Sequence, residues 1–351
     1  MNSEHRRGPR KYPARTSRYQ RTLRFASLLF ALLTIPAASQ DSPTEAAPPE
    51  GSFTVMTFNT GTGARVNGSA DLNLGFGPEQ SRISDEHYGN GLAWKAAVEG
   101  VAELIRHESP DIVAFQEMFH TGECVDIPIE ARAGFVCEEL QPGGPTVAQL
   151  VLGDDYQIAT HPGHNDKVLA VHRRFGRILG CDADYCEGGL EGSKVDGCGG
   201  GARLARARIE RTNGEVLTVF SYHGTSGMSP DDADCRVSQV EQIFVNFGND
   251  APGADGSAHL ILGDFNTDPV RLAAVDRSAQ RWNDFVGGNR PFRFHTGDPA
   301  HEPTYHIFTI DHIVSDVFSA TVSFPGRSAS APEIFRAQMF DHTPVVARMH
   351  R

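Results

Sequence analysis

Five segments of the chain place polar groups at strand ends: Asn59, Glu117, His223, Asp264 with Asn266, and Asp341-His342, with Asp311 on a strand beside the last. Carboxylates and carboxamides without thiolates are hard oxygen ligands, which suit Mg²⁺, Mn²⁺ or Ca²⁺ better than zinc. A histidine next to a carboxylate suits general base chemistry on water. Taken singly, each of these groups is more often a turn residue or a satisfied polar side chain. Repeated at five strand ends in one chain, they define a candidate polar site.

The elements that must position them are legible as apolar runs. His259-Leu260-Ile261-Leu262 ends at Gly263, and Asp264 and Asn266 follow two residues apart, so both can point the same way. Phe53 to Phe58 reads as a strand ending in Asn59, and Ile112-Val113-Ala114-Phe115 as a buried strand delivering Gln116-Glu117. A Gly- and Asn-rich loop is expected from 61 to about 90, then an amphipathic helix from Leu92 to His107. Tyr156 to Ala159 and Lys167 to His172 read as a strand pair joined by residues 161–166. Arg203 to Glu210 and Glu215 to Tyr222 form a hairpin around Thr212-Asn213-Gly214 that delivers His223. A second helix is expected over 230–247, capped by Ser229 with Pro230 and two acids in its first turn. Hairpins mixed with helical crossovers imply an α/β domain whose sheets are largely antiparallel or mixed.

Residues 1–39 read as a secretory signal peptide, with seven arginines and Lys11 before an apolar run from Phe25 to Ile35 that is too short for a membrane anchor. Residues 40–51 read as a disordered leader and 52–351 as one domain. The signal holds eight basic residues and one acid, so its removal takes the formal charge from −12 to −19. Such acidity repels polyanions at long range and weighs against tight binding to bulk nucleic acid, without excluding a nuclease. The six cysteines suggest disulfides in an exported protein: Cys124 with Cys137, and two more among Cys181, Cys186, Cys198 and Cys235. The expected product is a secreted or periplasmic monomer with no stable membrane insertion once the signal is cleaved.

Six stretches resemble the endonuclease/exonuclease/phosphatase (DNase I-like) superfamily: Thr57-Phe58-Asn59, Phe115-Gln116-Glu117, Tyr222-His223-Gly224, Gly263-Asp264-Phe265-Asn266, Ile310-Asp311-His312-Ile313 and Phe340-Asp341-His342-Thr343-Pro344. The resemblance implies a four-layered α/β sandwich, two mostly antiparallel sheets flanked by helices, with the site across one edge. It implies Glu117 as main metal ligand, helped by Asn59, with Asp341 near the same ion or a second one. Asp311 would orient His342, which with Asp264 would position and deprotonate the attacking water, and Asn266 would donate to a phosphate oxygen. His223, protonated, would serve the leaving oxygen or the pentavalent transition state, with Asp166 placed where its carboxylate partner would come from. Fixed donors of this kind stabilise developing charge, and a bound Mg²⁺, Mn²⁺ or Ca²⁺ would lower the charge on the phosphate. Arg203 is a further candidate for a bidentate phosphate contact, its alternative being one of several exposed arginines.

The implied activity is hydrolysis of a phosphodiester, in nucleic acid or in a phospholipid headgroup. The DNase I branch has an arginine close behind its Gln-Glu, where this chain has Met118-Phe119-His120, a pattern closer to the neutral sphingomyelinases. Nuclease and sphingomyelinase stay level on the sequence, and a catalytically silent binding protein of the same fold is the non-enzymatic alternative.

Overall fold

The computed structural model describes residues 51–63, 75–140, 143–256, 258–336 and 339–351. The expected signal peptide and nearly all of the leader lie outside them. Among the described residues there are thirteen strands: β1 (Phe53–Asn59), β2 (Ile112–Gln116), β3 (Tyr156–His161), β4 (His164–His172), β5 (Gly176–Ile178), β6 (Tyr185–Cys186), β7 (Leu204–Arg211), β8 (Val216–His223), β9 (His259–Asp264), β10 (Arg293–Phe294), β11 (Asp311–Ser315), β12 (Ser319–Ser323) and β13 (Val345–His350). They form one sheet in the order β12-β13-β1-β2-β4-β3-β6 and a second in the order β10-β11-β9-β8-β7-β5. Only β1 with β2, β3 with β6 and β8 with β9 pair in parallel; the other pairings are antiparallel. The helices are α1 (Pro78–His87), α2 (Lys95–Glu108), α3 (Val147–Leu152), α4 (Pro230–Phe244), α5 (Arg277–Phe285) and α6 (Glu333–Arg336).

The two-residue period of the strands builds four layers. Met56, Phe58, Val113 and Phe115 point outward from the first sheet and pack with Val101, Leu104, Val147 and Ile334 of α2, α3 and α6. Their neighbours Val55, Ile112 and Ala114 point inward, against Leu217, Val219, Leu260, Leu262 and Ile313 of the second sheet. On that sheet's far side Phe220, Tyr222 and Ile261 meet Val240, Ile243 and Trp282 of α4 and α5. Strands buried on both faces read as unbroken apolar runs, which is why β1, β2 and β9 are plain in the sequence. Each fully buried aliphatic side chain contributes about 1.5–3 kcal/mol, so the layers are held chiefly by these contacts.

Three local readings are corrected. Residues 78–87, expected as loop, form α1: Gln80 Oε1 accepts the Gly77 N–H at 2.9 Å and Arg82 bridges Glu79 and Glu86. Its buried residues are Ser81 and Ser84, and Ile83 alone adds an apolar contact to the core, so no hydrophobic period marks it. The helix expected from Leu92 begins at Lys95, because Leu92 and Trp94 are extended and bridge Met118 and Phe135. Residues 161–166 are mostly strand, with only Pro162 and Gly163 between β3 and β4, so Asp166 lies on β4. The disulfides are Cys124–Cys137, Cys181–Cys186 and Cys198–Cys235. No helix among the described residues is long and apolar enough to cross a membrane.

Candidate active site

Strand parity brings the polar groups to one place. Asn59, His223, Asp264 and Asp311 share the parity of the inward-facing Val55, Val219, Leu262 and Ile313, and each stands where its strand leaves the apolar interior between the sheets. Asp264 pairs across the ladder with His223 on one side and Asp311 on the other. The mouth of the sandwich thus receives three functional side chains from three adjacent strands.

His342 Nδ1 lies 2.8 Å from Asp311 Oδ2, and its Nε2 faces Asp264 Oδ2 at 3.8 Å. Both carboxylates are fully buried, and the Asp311 backbone N–H is fixed by Thr304 Oγ1 at 3.1 Å. Burial pushes the His342 imidazole toward neutrality, but attraction from Asp311, Asp264 and Asp341 outweighs it and raises its pKa to about 10. Asp264 accepts three hydrogen bonds: from Asn266 N at 2.7 Å, Asn266 Nδ2 at 3.1 Å and Asn59 Nδ2 at 3.0 Å. Asn266 reaches it by adopting φ +50°, a left-handed conformation that follows from the tight turn after β9.

Asn59 Nδ2 also donates to Glu117 Oε1 at 3.0 Å, while its Oδ1 accepts the Gly61 N–H at 2.9 Å. The amide nitrogen, not the oxygen, therefore faces the carboxylates, and Asn59 braces Glu117 and Asp264 together. Glu117 breaks from β2 at φ +60° and shows 33% of its side chain to the cleft, as does Asp341. Burial is the first cause that raises the pKa of Glu117, Asp264 and Asp341, and neighbouring carboxylates add to it. Such an all-oxygen group with excess negative charge fits a hard divalent cation. Asp264, Asp311 and His342 also place ligand atoms within 4.8 Å of one another. His342 Nδ1 is committed to Asp311, however, so Glu117 and Asp341 are the better-suited pair.

Two cations, Lys167 and Arg203, lie near His223. Lys167 Nζ, 3% exposed, is 2.7 Å from Asp166 Oδ2, and His164 Nδ1 is 3.3 Å from the other oxygen. Asp166 makes no hydrogen bond to His223, and its oxygens face Lys167 and His164 instead. His223 Nε2 is 3.6 Å from both Glu117 Oε1 and Asp264 Oδ2, beyond hydrogen-bond reach. Its Nδ1 is buried without a hydrogen-bond partner in the protein, as is Arg203 Nε. Burial, then Lys167 and Arg203, drive the His223 pKa well below its ordinary value. The expectation of a protonated His223 is corrected accordingly: the imidazole is neutral and offers one N–H. Arg203 makes only a long contact, 3.4 Å, to the Gly224 carbonyl.

Two residues of the site escaped the sequence reading. Lys167 is marked only by being a charge at the head of the apolar run Val168-Leu169-Ala170-Val171. Tyr305, from a segment with no periodicity, sets its ring 4.7 Å from that of His342. Glu117, Tyr305, Asp341 and His342 stand where two clefts meet, one of about 570 Å³ toward α4 and one of about 1390 Å³ toward Asn90 and Phe340.

No family model matches the chain, and no curated protein matches it. Among solved structures it is similar to a humanized D. rerio TDP2, at 12% identity over 86% of this chain and 99% of that one, with a TM-score of 0.46. It is similar to the human Nocturnin catalytic domain with bound sulfate anion, at 13% identity over 85% and 93%, TM-score 0.45. An endonuclease/exonuclease/phosphatase family protein from Bacteroides thetaiotaomicron matches at 16% identity over 85% and 97%, TM-score 0.43.

Proposed function

We propose that this chain is a secreted or periplasmic, divalent-metal-dependent phosphodiesterase of the endonuclease/exonuclease/phosphatase type. The observation that carries the reading is the Asp311–His342 dyad facing Asp264, with the carboxylates of Glu117 and Asp341 beside it and the cations Lys167 and Arg203 beside His223. Asp311 fixes the imidazole through Nδ1, so Nε2 is the atom that takes a proton from water attacking the phosphorus. Asp264, immobilised by Asn59 and Asn266, holds that water's second proton in line. Lys167, Arg203 and the neutral N–H of His223 receive the charge that grows on the phosphate oxygens. Glu117 and Asp341 would hold Mg²⁺, Mn²⁺ or Ca²⁺, which supplies neutralisation of the substrate's charge. Of the carboxylates that raise the His342 pKa, Asp311 and Asp264 come before Asp341, and Asp341 is the one an ion held there would offset.

The test is hydrolysis of bis(p-nitrophenyl) phosphate with each metal and with EDTA. Activity abolished by EDTA and restored by one of the ions supports the reading. Inertness under every condition supports a silent binding protein instead.

A further inference from the structure

Among the described residues, four large hydrophobic side chains are more than two-thirds exposed: Met228 at 87%, Ile129 at 81%, Val275 at 78% and Ile307 at 69%. Met228 and Val275 line the smaller cleft, and Ile307 directly precedes Phe308, which lines it too. Scattered exposed hydrophobics need no explanation, but two that line one cleft, with a third next in sequence to its Phe308, mark an interaction surface. Inside this rim the wall continues with Leu272, Phe308 and Ile310, and the cleft ends on Glu117, Asp264 and His342. Of the two clefts that meet at those groups, this one offers an ester arm of the substrate an apolar wall.

A nucleic acid strand would need free cations beside that wall. The two arginines of the cleft are engaged instead, Arg236 with Asp276 and Arg277 with Asp234. The formal charge of −12 opposes anionic lipid as well as nucleic acid. Resting on the phosphodiesterase reading, we infer that the rim of Met228, Val275 and Ile307 seats on a zwitterionic lipid surface and the apolar cleft takes the lipid-bearing arm of a phosphodiester headgroup lipid. Side chains of this kind bind by burying apolar area at the headgroup boundary, with no need of charge.

The test is sedimentation of the full chain with vesicles of phosphatidylcholine and sphingomyelin in EDTA, so that binding is read without turnover. The triple variant Met228→Asp, Val275→Asp, Ile307→Asp should lose at least about tenfold in vesicle partition, each apolar contact being replaced by a charge. All three positions are exposed and outside the catalytic group, so the variant should keep its rate on bis(p-nitrophenyl) phosphate within about twofold. Undiminished partition of the variant overturns the inference, as does a wild type that ignores vesicles and retains plasmid DNA in a salt-sensitive manner. Vesicle binding by a chain inert on the soluble ester upholds the surface and rejects the phosphodiesterase reading alone.

Discussion

Gly61 lies directly beneath the carboxylate of Glu117: a Cβ at that position would stand 2.5 Å from Oε2 and 3.2 Å from Asn59 Oδ1. The glycine is thus required by the space the Glu117 carboxylate, a proposed metal ligand, occupies, not by an unusual backbone angle. Gly61→Ala should displace the tip of a flexible side chain and leave the core intact. Affinity for Mn²⁺, measured calorimetrically, should weaken by about tenfold, equivalent to about 1.4 kcal/mol, with little change in Tm. Unchanged affinity would remove Glu117 from the proposed ligands.

The dyad makes a sharper demand. His342→Ala should lower kcat by about 10²–10⁴-fold, the usual range for a lost general base. Asp311→Asn, which keeps the shape and removes the charge, should fall in the same direction with KM nearly constant. A His342→Ala enzyme turning over near the wild-type rate would falsify the mechanism.

Lys167 offers a test of the cations beside His223. Replacing it by Met keeps the apolar stem and deletes the charge, while Asp166, 39% exposed on its side chain, can stay hydrated. A charge-assisted contact to phosphate is worth about 1.5–3 kcal/mol, so kcat/KM should fall roughly ten- to hundredfold. If kcat/KM holds and only thermal stability drops, Lys167 is a strand-anchoring residue and no more.

Acid should weaken the fold through His161. Its ring is fully buried, Nδ1 set 2.9 Å from the Ala202 carbonyl and Nε2 2.9 Å from Ser221 Oγ, and burial lowers its pKa from 6.5 to about 3. Between those values the unfolded chain binds a proton that the folded one refuses. The contribution is therefore complete above about pH 6.5 and lost as the pH falls toward 3. Urea midpoints at pH 7 and pH 5 should show a larger loss for wild type than for His161→Gln. Equal losses would place the acid sensitivity elsewhere, at buried His223, whose pKa is also driven well down, or at His312, whose pKa is lowered to about 4.

The strands that deliver the site were legible because strands covered on both faces leave unbroken apolar runs, as in Ile112 to Phe115 and Leu260 to Leu262. Helix α1 was not, since its buried residues are Ser81 and Ser84 and a single Ile83 gives no period. The strand-end residues Asn59, Glu117, Asp264 and Asp341 stood out by type and position, whereas Lys167 and Tyr305 depend on partners distant in sequence. The neutral state of His223 was equally hidden, because it follows from burial beside Lys167 and Arg203 and no local pattern encodes burial.

Asp264 and Asp311 occupy facing positions of one antiparallel ladder, and Asp264 and His223 facing positions of the parallel ladder beside it. Because side chains alternate, a slip of one residue between β9 and β11 would turn a whole apolar set outward together with the carboxylate. There is consequently no gradual loss of alignment open to this centre: a molecule either has the ladder in register and a complete set of groups, or has neither. Specific activity measured across preparations should then behave as a molecular census, reporting the fraction of chains correctly zipped rather than a spread of partly competent enzymes.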